Sequence, residues 1–251
     1  MKKKLLQNCL YAIAAAGFIL VVWLVARFAV GNELLVPSPW GCLKKAGALL
    51  IDGEFWYGFG QTLGRVLVAF AISFLLALVF AVVAYTVPVF GRFCSPVIAA
   101  MRTLPTLAAA LVILVWCGAA NAPVAVAFLS LFPTLYAGIS AALSQVDSEL
   151  IEMSRVYKVP VWRRIFGLYL PSATPYGLRE SGAALSFSLK LVVSAEVLAN
   201  TYKSLGGMMQ EAKVVLDVPL LFALVCVAAV TGILLESAAA LVSFLVERGV
   251  K

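Results

Sequence analysis

The pattern of apolar positions divides the chain into six long runs separated by short segments rich in polar residues and proline. Each run has close to the roughly twenty apolar residues that an α-helix needs to cross a bilayer. The pattern therefore predicts an all-α, polytopic membrane protein with a single domain over residues 1–251. Arg102 and Pro105 interrupt the third run, so five spans are the alternative count. The predicted spans are Leu10–Val30, Leu63–Tyr85, Ile98–Cys117, Ala122–Leu143, Gly177–Ala199 and Val218–Leu245.

The longest charged stretch, residues 147–171, lies between the fourth and fifth runs and predicts a loop that reaches out of the membrane. Its first half has helical periodicity, with charged residues on one face and apolar residues on the other. Acids come first and bases last, which suits the helix dipole, and Pro160 ends this helix. A second short helix is predicted over Val161–Leu168, before Pro171. The charged face comprises Glu149, Glu152, Arg155 and Lys158, and the apolar face Leu150, Met153 and Tyr157.

Composition supports the membrane assignment and the charge distribution orients the chain. Hydrophobic residues make up 63% of the sequence and charged residues 12%, with a net charge of +7. Basic residues concentrate in the segments that share one side of the membrane with the amino terminus. The positive-inside rule places this side, with both termini and residues 147–171, in the cytoplasm. The bases are scattered over loops, so a nucleic-acid partner is not expected. The Lys2-Lys3-Lys4 start predicts a signal anchor, with cleavage near Ala14–Gly17 as the alternative.

Histidine and several motifs of common enzyme chemistry are missing from the sequence. It contains no histidine and no G-x-x-x-x-G-K-[ST] phosphate loop, and its five cysteines form no C-x-x-C pair. These absences disfavour an intramembrane enzyme, a metal site and ATP binding on this chain. We therefore expect a protein that performs no hydrolysis itself and holds no cofactor.

Ionisable residues inside the predicted spans are the main candidates for function, because such residues are costly in hydrocarbon. Lys190 and Glu196 lie in the fifth span, six positions apart and thus on different faces of the helix, and Glu236 lies in the last span. Two interpretations of Lys190 stand. It lines a cavity and meets an anionic or polar substrate, or it is the structural partner of a carboxylate such as Asp217 or Glu236.

The loop at 147–171 resembles the EAA loop of bacterial ABC-transporter permeases, which runs E-A-A, three residues, G, nine residues, I-x-L-P. The spacing from Glu152 to Pro171 is that of the family. Met153 and Ser154 replace the two alanines, and Leu168 replaces the isoleucine. Lys158 replaces the glycine that allows a tight turn between the two helices, so Lys158 must either stay helical or accept a less favourable turn.

Further motifs follow the order found in permeases of the nitrate, sulfonate and taurine import family. Pro105 belongs to a segment similar to R-x-x-P-x-L-A, which bends the family's third helix either as a hinge or for packing alone. Ser194 and Glu196 belong to one similar to V-A-A-E in its fifth helix. The five matching segments are Leu35–Pro39, Gln61–Arg65, Met101–Ala108, Val193–Glu196 and Leu205–Gly207.

This resemblance implies a type I importer permease that forms a homodimer with the substrate pathway at its interface. It implies two cytoplasmic ATPase subunits, which hold ATP and Mg²⁺, and a binding protein outside that selects the substrate. Residues implied in ATPase coupling are Glu152, Met153, Ser154, Arg155, Tyr157, Lys158, Leu170 and Pro171. Pathway candidates are Pro105, Lys190, Ser194 and Glu196.

Two alternatives from other classes stand beside this interpretation. An ion-coupled secondary transporter or small channel would use Lys190, Glu196 or Glu236 and need no ATPase. A membrane scaffold without transport activity is the third interpretation. A neighbouring reading frame that encodes a phosphate-loop ATPase would favour the importer over both.

Overall fold

The computed structural model describes residues 2–32 and 35–249, and this part of the chain is helical throughout apart from short turns. Side chains are described at these positions except 2–10, 12, 13, 16, 155, 172–179 and 246–249. A π-helical segment, Ile165–Tyr169, joins the seventh helix to the eighth. The α-helices are α1 (Lys2–Val30), α2 (Pro39–Leu49), α3 (Gly53–Thr86), α4 (Pro88–Thr103), α5 (Thr106–Leu143), α6 (Ser148–Val156), α7 (Val161–Arg164), α8 (Leu170–Ala199), α9 (Leu205–Val214) and α10 (Val218–Gly249).

Side-chain caps fix the starts of helices that begin in polar segments. The Asp52 carboxylate accepts a hydrogen bond from the Glu54 amide at 2.9 Å and starts α3. The Ser204 hydroxyl accepts one from the Gly207 amide at 2.9 Å and starts α9, and Ser38 caps α2 in the same way. Such caps satisfy backbone donors that have no partner within the helix, so they set where each helix begins.

Helix α5 is folded back on itself at Gly118. Gly118 has φ 71° and ψ 166°, outside the helical region. Ala110 and Val126 belong to one buried cluster, whereas a straight helix would hold them about 24 Å apart. The hydroxyl of Thr201, just beyond α8, donates to the carbonyl of Ala119 at 2.8 Å. The chain therefore reverses direction between the third and fourth apolar runs, and glycine supplies the positive φ that this turn requires.

The third predicted span, Ile98–Cys117, is divided between two helices. Helix α4 ends at Thr103, and α5 starts at Thr106 after Leu104 and Pro105 in extended conformation. The part of α5 before Gly118 is about 18 Å long, too short to cross a bilayer of about 30 Å by itself. A simple bend was expected at Pro105, and the structure has a complete break. Proline lacks an amide hydrogen and biases the preceding residue to extended conformations, which accounts for the break.

Four helices of the described chain are long and apolar enough to cross a membrane, fewer than the six spans predicted. They are Gly53–Thr86, Thr106–Leu143, Glu180–Ala199 and Val218–Leu245. The difference arises in part from the third run, which is broken at Pro105. The first predicted span, Leu10–Val30, lies within the 29-residue helix α1, whose side chains are described without gaps only over Gly17–Val30. The all-α, polytopic class is confirmed.

Helix α8 is the central element and packs against α3, α5, α9 and α10. One face of α3 consists of small buried residues spaced four apart, which allows neighbouring helices to approach closely in a membrane. These residues are Ala69, Ser73, Ala77 and Ala81. The main core forms where α3, α5 and α8 meet, and it includes Val66, Leu131, Ile139, Leu189 and Val192.

The bundle has two distinct ends. Helices α6 and α7 lie at the first, which we call the α6 end. Helices α2 and α9 and the turn at Gly118 lie at the second, the α9 end. The predicted helix over Val161–Leu168 is not separate. It begins as α7 and continues through the π-helical segment directly into α8, whose second residue is Pro171.

Candidate functional site

Over residues 180–199, where its side chains are described, helix α8 leaves one stripe exposed although four helices pack against it. The stripe repeats every three or four residues, which is a single face of an α-helix. Lys190 lies at its centre, about 14 Å from the end of α8 at Ala199. A lysine so deep in an apolar bundle requires water, a counter-charge or a ligand. The stripe comprises Ala183, Phe187, Lys190, Ser194 and Leu198.

A groove of about 500 Å³ runs between α8 and α10 beside this stripe. Lys190, Ser186 and Ser194 line it from α8, and Glu236 lines it from α10. Among the described residues, neither Lys190 nor Glu236 makes an ion pair or hydrogen bond. The groove thus carries one ammonium, one carboxylate and two hydroxyl groups that face open space.

The interpretation of Lys190 as a partner of Asp217 is wrong. Asp217 lies at the α9 end, where its carboxylate accepts a hydrogen bond from the Lys45 ammonium of α2. Burial by itself raises the pKa of Asp217, but hydrogen bonds from Lys45 and the Leu220 amide outweigh it and lower the pKa below its ordinary value. Asp217 precedes α10, so it lies too far along the bundle to meet Lys190.

A second cavity, of about 190 Å³, lies at the break between α4 and α5. Arg102, Thr106 and Thr134 line it, and Phe187 connects it to the exposed stripe of α8. Pro105 is exposed and precedes the first turn of α5. The break therefore places polar groups of α4 and α5 beside the same surface as Lys190.

Glu196 lies on another face of α8 and is fully buried. Its carboxylate accepts hydrogen bonds from the Arg65 guanidinium at 2.8 Å, from the Thr62 hydroxyl at 2.9 and 3.1 Å, and from the Gly206 amide at 3.1 Å. The Thr62 hydroxyl accepts in turn from the Leu205 amide at 2.9 Å. We call these five residues the Glu196 clamp, which ties α3, α8 and α9 together.

The clamp includes residues that sequence reasoning did not select. Thr62 and Arg65 belong to the matching segment Gln61–Arg65, which lies inside α3 and not at its start, and nothing local to that segment indicates a carboxylate partner. The close approach of α9 to the end of α8 explains why the first turn of α9 contains two glycines, Gly206 and Gly207. A Cβ on Gly206 would lie 2.4 Å from the Glu196 Cβ, and one on Gly207 would lie 2.2 Å from the Thr201 carbonyl oxygen.

The predicted coupling loop forms two short helices joined at Lys158. Lys158 has φ 51°, and the Val159 amide donates to the Ser154 carbonyl at 2.9 Å, a bond that closes the carboxyl end of α6. The position where the family has glycine is thus left-handed, as the family pattern predicts, and a lysine occupies it. Of the two outcomes open to Lys158, staying helical or accepting a less favourable turn, the backbone has the turn.

Most coupling candidates are accessible at the surface of the α6 end. Met153 is 54% exposed and Tyr157 75%, and Trp162 and Phe166 stack on each other in the open. Glu152, Lys158 and Pro171 are also exposed, whereas Ser154 and Leu170 are half-buried. The Arg155 side chain lies outside the described part of the structure. Large apolar side chains exposed beyond the spans are typical of an interaction surface.

Comparisons with known proteins agree with this arrangement. Residues 78–251 match the family described as "Binding-protein-dependent transport system inner membrane component". The taurine transport system permease protein TauC of Escherichia coli is 23% identical over 227 residues, covering 88% of this chain and 82% of TauC. A probable ABC transporter permease protein of Brucella melitensis is 25% identical over 206 residues, covering 82% of this chain and 83% of its own length.

A solved structure supports the fold independently. A crystal structure of an amino acid ABC transporter with histidines superposes with a TM-score of 0.61 at 20% identity, covering 78% of this chain and 93% of that one. At this identity the likeness concerns the fold. The family match spans more than half of the sequence and includes the loop, α8 and α10. The chain therefore belongs to the family of binding-protein-dependent transport system inner membrane components, and it is a multi-pass permease subunit of an ABC importer.

Proposed function

We propose that this permease works as a homodimer, couples to two ATPase subunits through the 147–171 loop, and receives substrate from a binding protein at the α9 end. ATP and Mg²⁺ belong to the ATPase subunits. The observation that carries this proposal is the exposure of Met153, Tyr157, Trp162 and Phe166 beyond the spans. Closure of the ATPases on ATP would move the loop and, through the unbroken connection from α7 to α8, the helix that carries Lys190.

The orientation follows from the loop. If the ATPases bind at the α6 end, that end lies in the cytoplasm and the α9 end lies outside. The positive-inside distribution of basic residues gives the same orientation with both termini in the cytoplasm. The membrane is then the bacterial plasma membrane, where a binding protein and cytoplasmic ATPases reach opposite faces of one permease.

The pathway is proposed to run along the exposed stripe of α8. Lys190 and Ser194 lie on the stripe, and the break at Pro105 places a second polar cavity beside it. A stripe with an unpaired ammonium is a poor surface for lipid, so contact with a second copy across a hydrated path is the favoured environment. Glu196 is proposed to position helices, since the clamp occupies its carboxylate.

Loss of the ATPase from purified complexes tests the coupling role. We expect the Glu152→Lys, Tyr157→Ala double variant to release the ATPase during purification in detergent, because it changes the charged and apolar faces of α6 together. Tyr202→Ala is the matched control, since Tyr202 is also 75% exposed but lies at the α9 end. Retention of the ATPase at the parental ratio by the double variant would remove this surface as the docking site.

The same experiment separates the importer from the ion-coupled alternative, which would use the groove of Lys190 and Glu236 without any ATPase.

Cross-linking tests the dimer. We expect a cysteine at Leu198, on the stripe, to cross-link two copies in membranes, and a cysteine at Leu75, exposed on α3, to do so far less. Equal cross-linking at both positions would contradict the proposed interface.

A further inference from the structure

Helix α9 separates two cavities that lie at different depths. The groove between α8 and α10 is one, and the other is a cavity of about 340 Å³ at the α9 end, lined by the charged side chains of Asp52, Lys203 and Glu211. Two neighbouring methionines of α9 line different cavities. Met208 faces the cavity at the α9 end, and Met209 faces the groove. A single helix, α9, therefore separates the groove from the cavity at the α9 end.

Met209 is the side chain of α9 that lines the groove. It is 6% exposed and packs in a cluster with Ala223 and Leu224 of α10. The groove wall on α10 includes three small residues, Ala228, Ala229 and Gly232. A methionine side chain has three rotatable bonds and adapts to changing surroundings, so it can fill this space in one state and leave it in another.

The two ends of α9 are held very differently. The Glu196 clamp binds the first two amides of the helix inside the bundle, through Leu205 and Gly206. The last part of the helix leads into Val215 and Leu216, which are 71% and 66% exposed. The ion pair that follows it, between Lys45 and Asp217, lies at the surface. Surface ion pairs contribute little to stability, so the carboxyl end of α9 is the weaker attachment.

We propose that Met209 closes the α9 end of the groove and that α9 opens it by swinging about the Glu196 clamp. This inference rests on the proposed function, because the groove must be part of the pathway for its closure to matter. The clamp keeps the first turn of α9 in place. Movement of the carboxyl end withdraws Met209 and joins the groove to the charged cavity.

Thiol labelling in the intact transporter tests this proposal. The reporter is a cysteine at Ser194, which lines the groove, introduced after the five native cysteines are replaced. A membrane-impermeant maleimide is added from the α9 side to the full complex in proteoliposomes. We expect Met209→Ala to speed labelling roughly tenfold, which corresponds to about 1.4 kcal/mol in the free energy of opening. Met208→Ala, the matched control, is expected to leave the rate within about twofold of the parent.

Labelling from the α6 side is the second control and should not differ between the two variants. Equal acceleration by both alanine variants, or no acceleration by Met209→Ala, would overturn the role of Met209. If Met209→Ala does not assemble, Met209→Val removes less volume and should change the rate in the same direction. Release of the ATPase tests the proposed function by a separate measurement, so failure of the Met209 closure is distinguishable from failure of the proposed function.

Discussion

Replacing Glu196 with glutamine should destabilise the protein strongly, because the carboxylate is the common acceptor of the clamp. Glutamine presents one oxygen and one amide group where the carboxylate presents two oxygens. The amide group must then face a donor, either the Arg65 guanidinium at 2.8 Å or the Gly206 amide at 3.1 Å. Arg65 also loses its counter-charge while only 16% of its side chain is exposed.

The expected size follows from burial. Breaking a buried ion pair by removing one partner costs about 3–5 kcal/mol. Because Arg65 keeps some contact with solvent, we expect the lower end, about 3 kcal/mol. For a chain of this length that corresponds to a fall of about 6–12 °C in the unfolding midpoint, measured on the purified permease in detergent.

Two controls make the result interpretable. Glu211→Gln changes an exposed carboxylate of α9 and should shift the midpoint by about 1–2 °C or less. The double variant Arg65→Met, Glu196→Leu removes both charges and should recover much of the loss, since a buried pair can be replaced by apolar groups at little cost. A Glu196→Gln protein that unfolds within about 2 °C of the parent would refute this account of the clamp.

Other predictions concern the loop, the paired glycines and the surface ion pair. Lys158→Gly should slow hydrogen exchange in the carboxyl-terminal turn of α6, because glycine adopts φ 51° at about 1 kcal/mol less cost than lysine. Gly206→Ala should lower the unfolding midpoint by displacing α9, whereas Gly64→Ala, which meets nothing within 4 Å, should leave it unchanged or raise it, as measured by thermal unfolding. The pKa of Asp217 is lowered in the folded protein, so its contribution to stability is present above its ordinary pKa and is lost as the pH falls through the folded value. The acid-induced loss should be smaller in a Lys45→Met variant, measured as the midpoint against pH.

The positions of most spans could be predicted from the sequence, because the length and apolarity needed to cross a bilayer are local properties. The turn at Lys158 could be predicted only as one of two outcomes, because the spacing is that of a loop with glycine at this place and a lysine can also continue the helix. The break at Pro105 was underestimated. One proline is compatible with either a kink or an end, and the packing of α4 and α5 against other helices decides between them.

The clamp could not be predicted because its members are distant in sequence. Arg65 and Glu196 are 131 positions apart, and Lys45 and Asp217 are 172 apart. Each charge is visible in the sequence, but its partner depends on how the helices pack and at what depth each residue lies. For the same reason the sequence left Asp217 open as a partner of Lys190. The two residues lie at different positions along the bundle axis, which excludes the pair, and these positions are known only from the folded structure.

The exposed stripe of α8 has a consequence for the biogenesis of this protein. A newly inserted single copy would present Lys190 to the lipid. Even on the scales derived from membrane insertion, which give the lowest values, the free energy of a lysine at the helix centre is unfavourable by about 3 kcal/mol. Unassembled copies should therefore be short-lived in the membrane and recognisable to its quality-control proteases. If the permease is synthesised in excess of its partner subunits, degradation would remove the surplus. The ratio of subunits in the membrane would then depend partly on the charge of Lys190, which is shielded from lipid only after assembly.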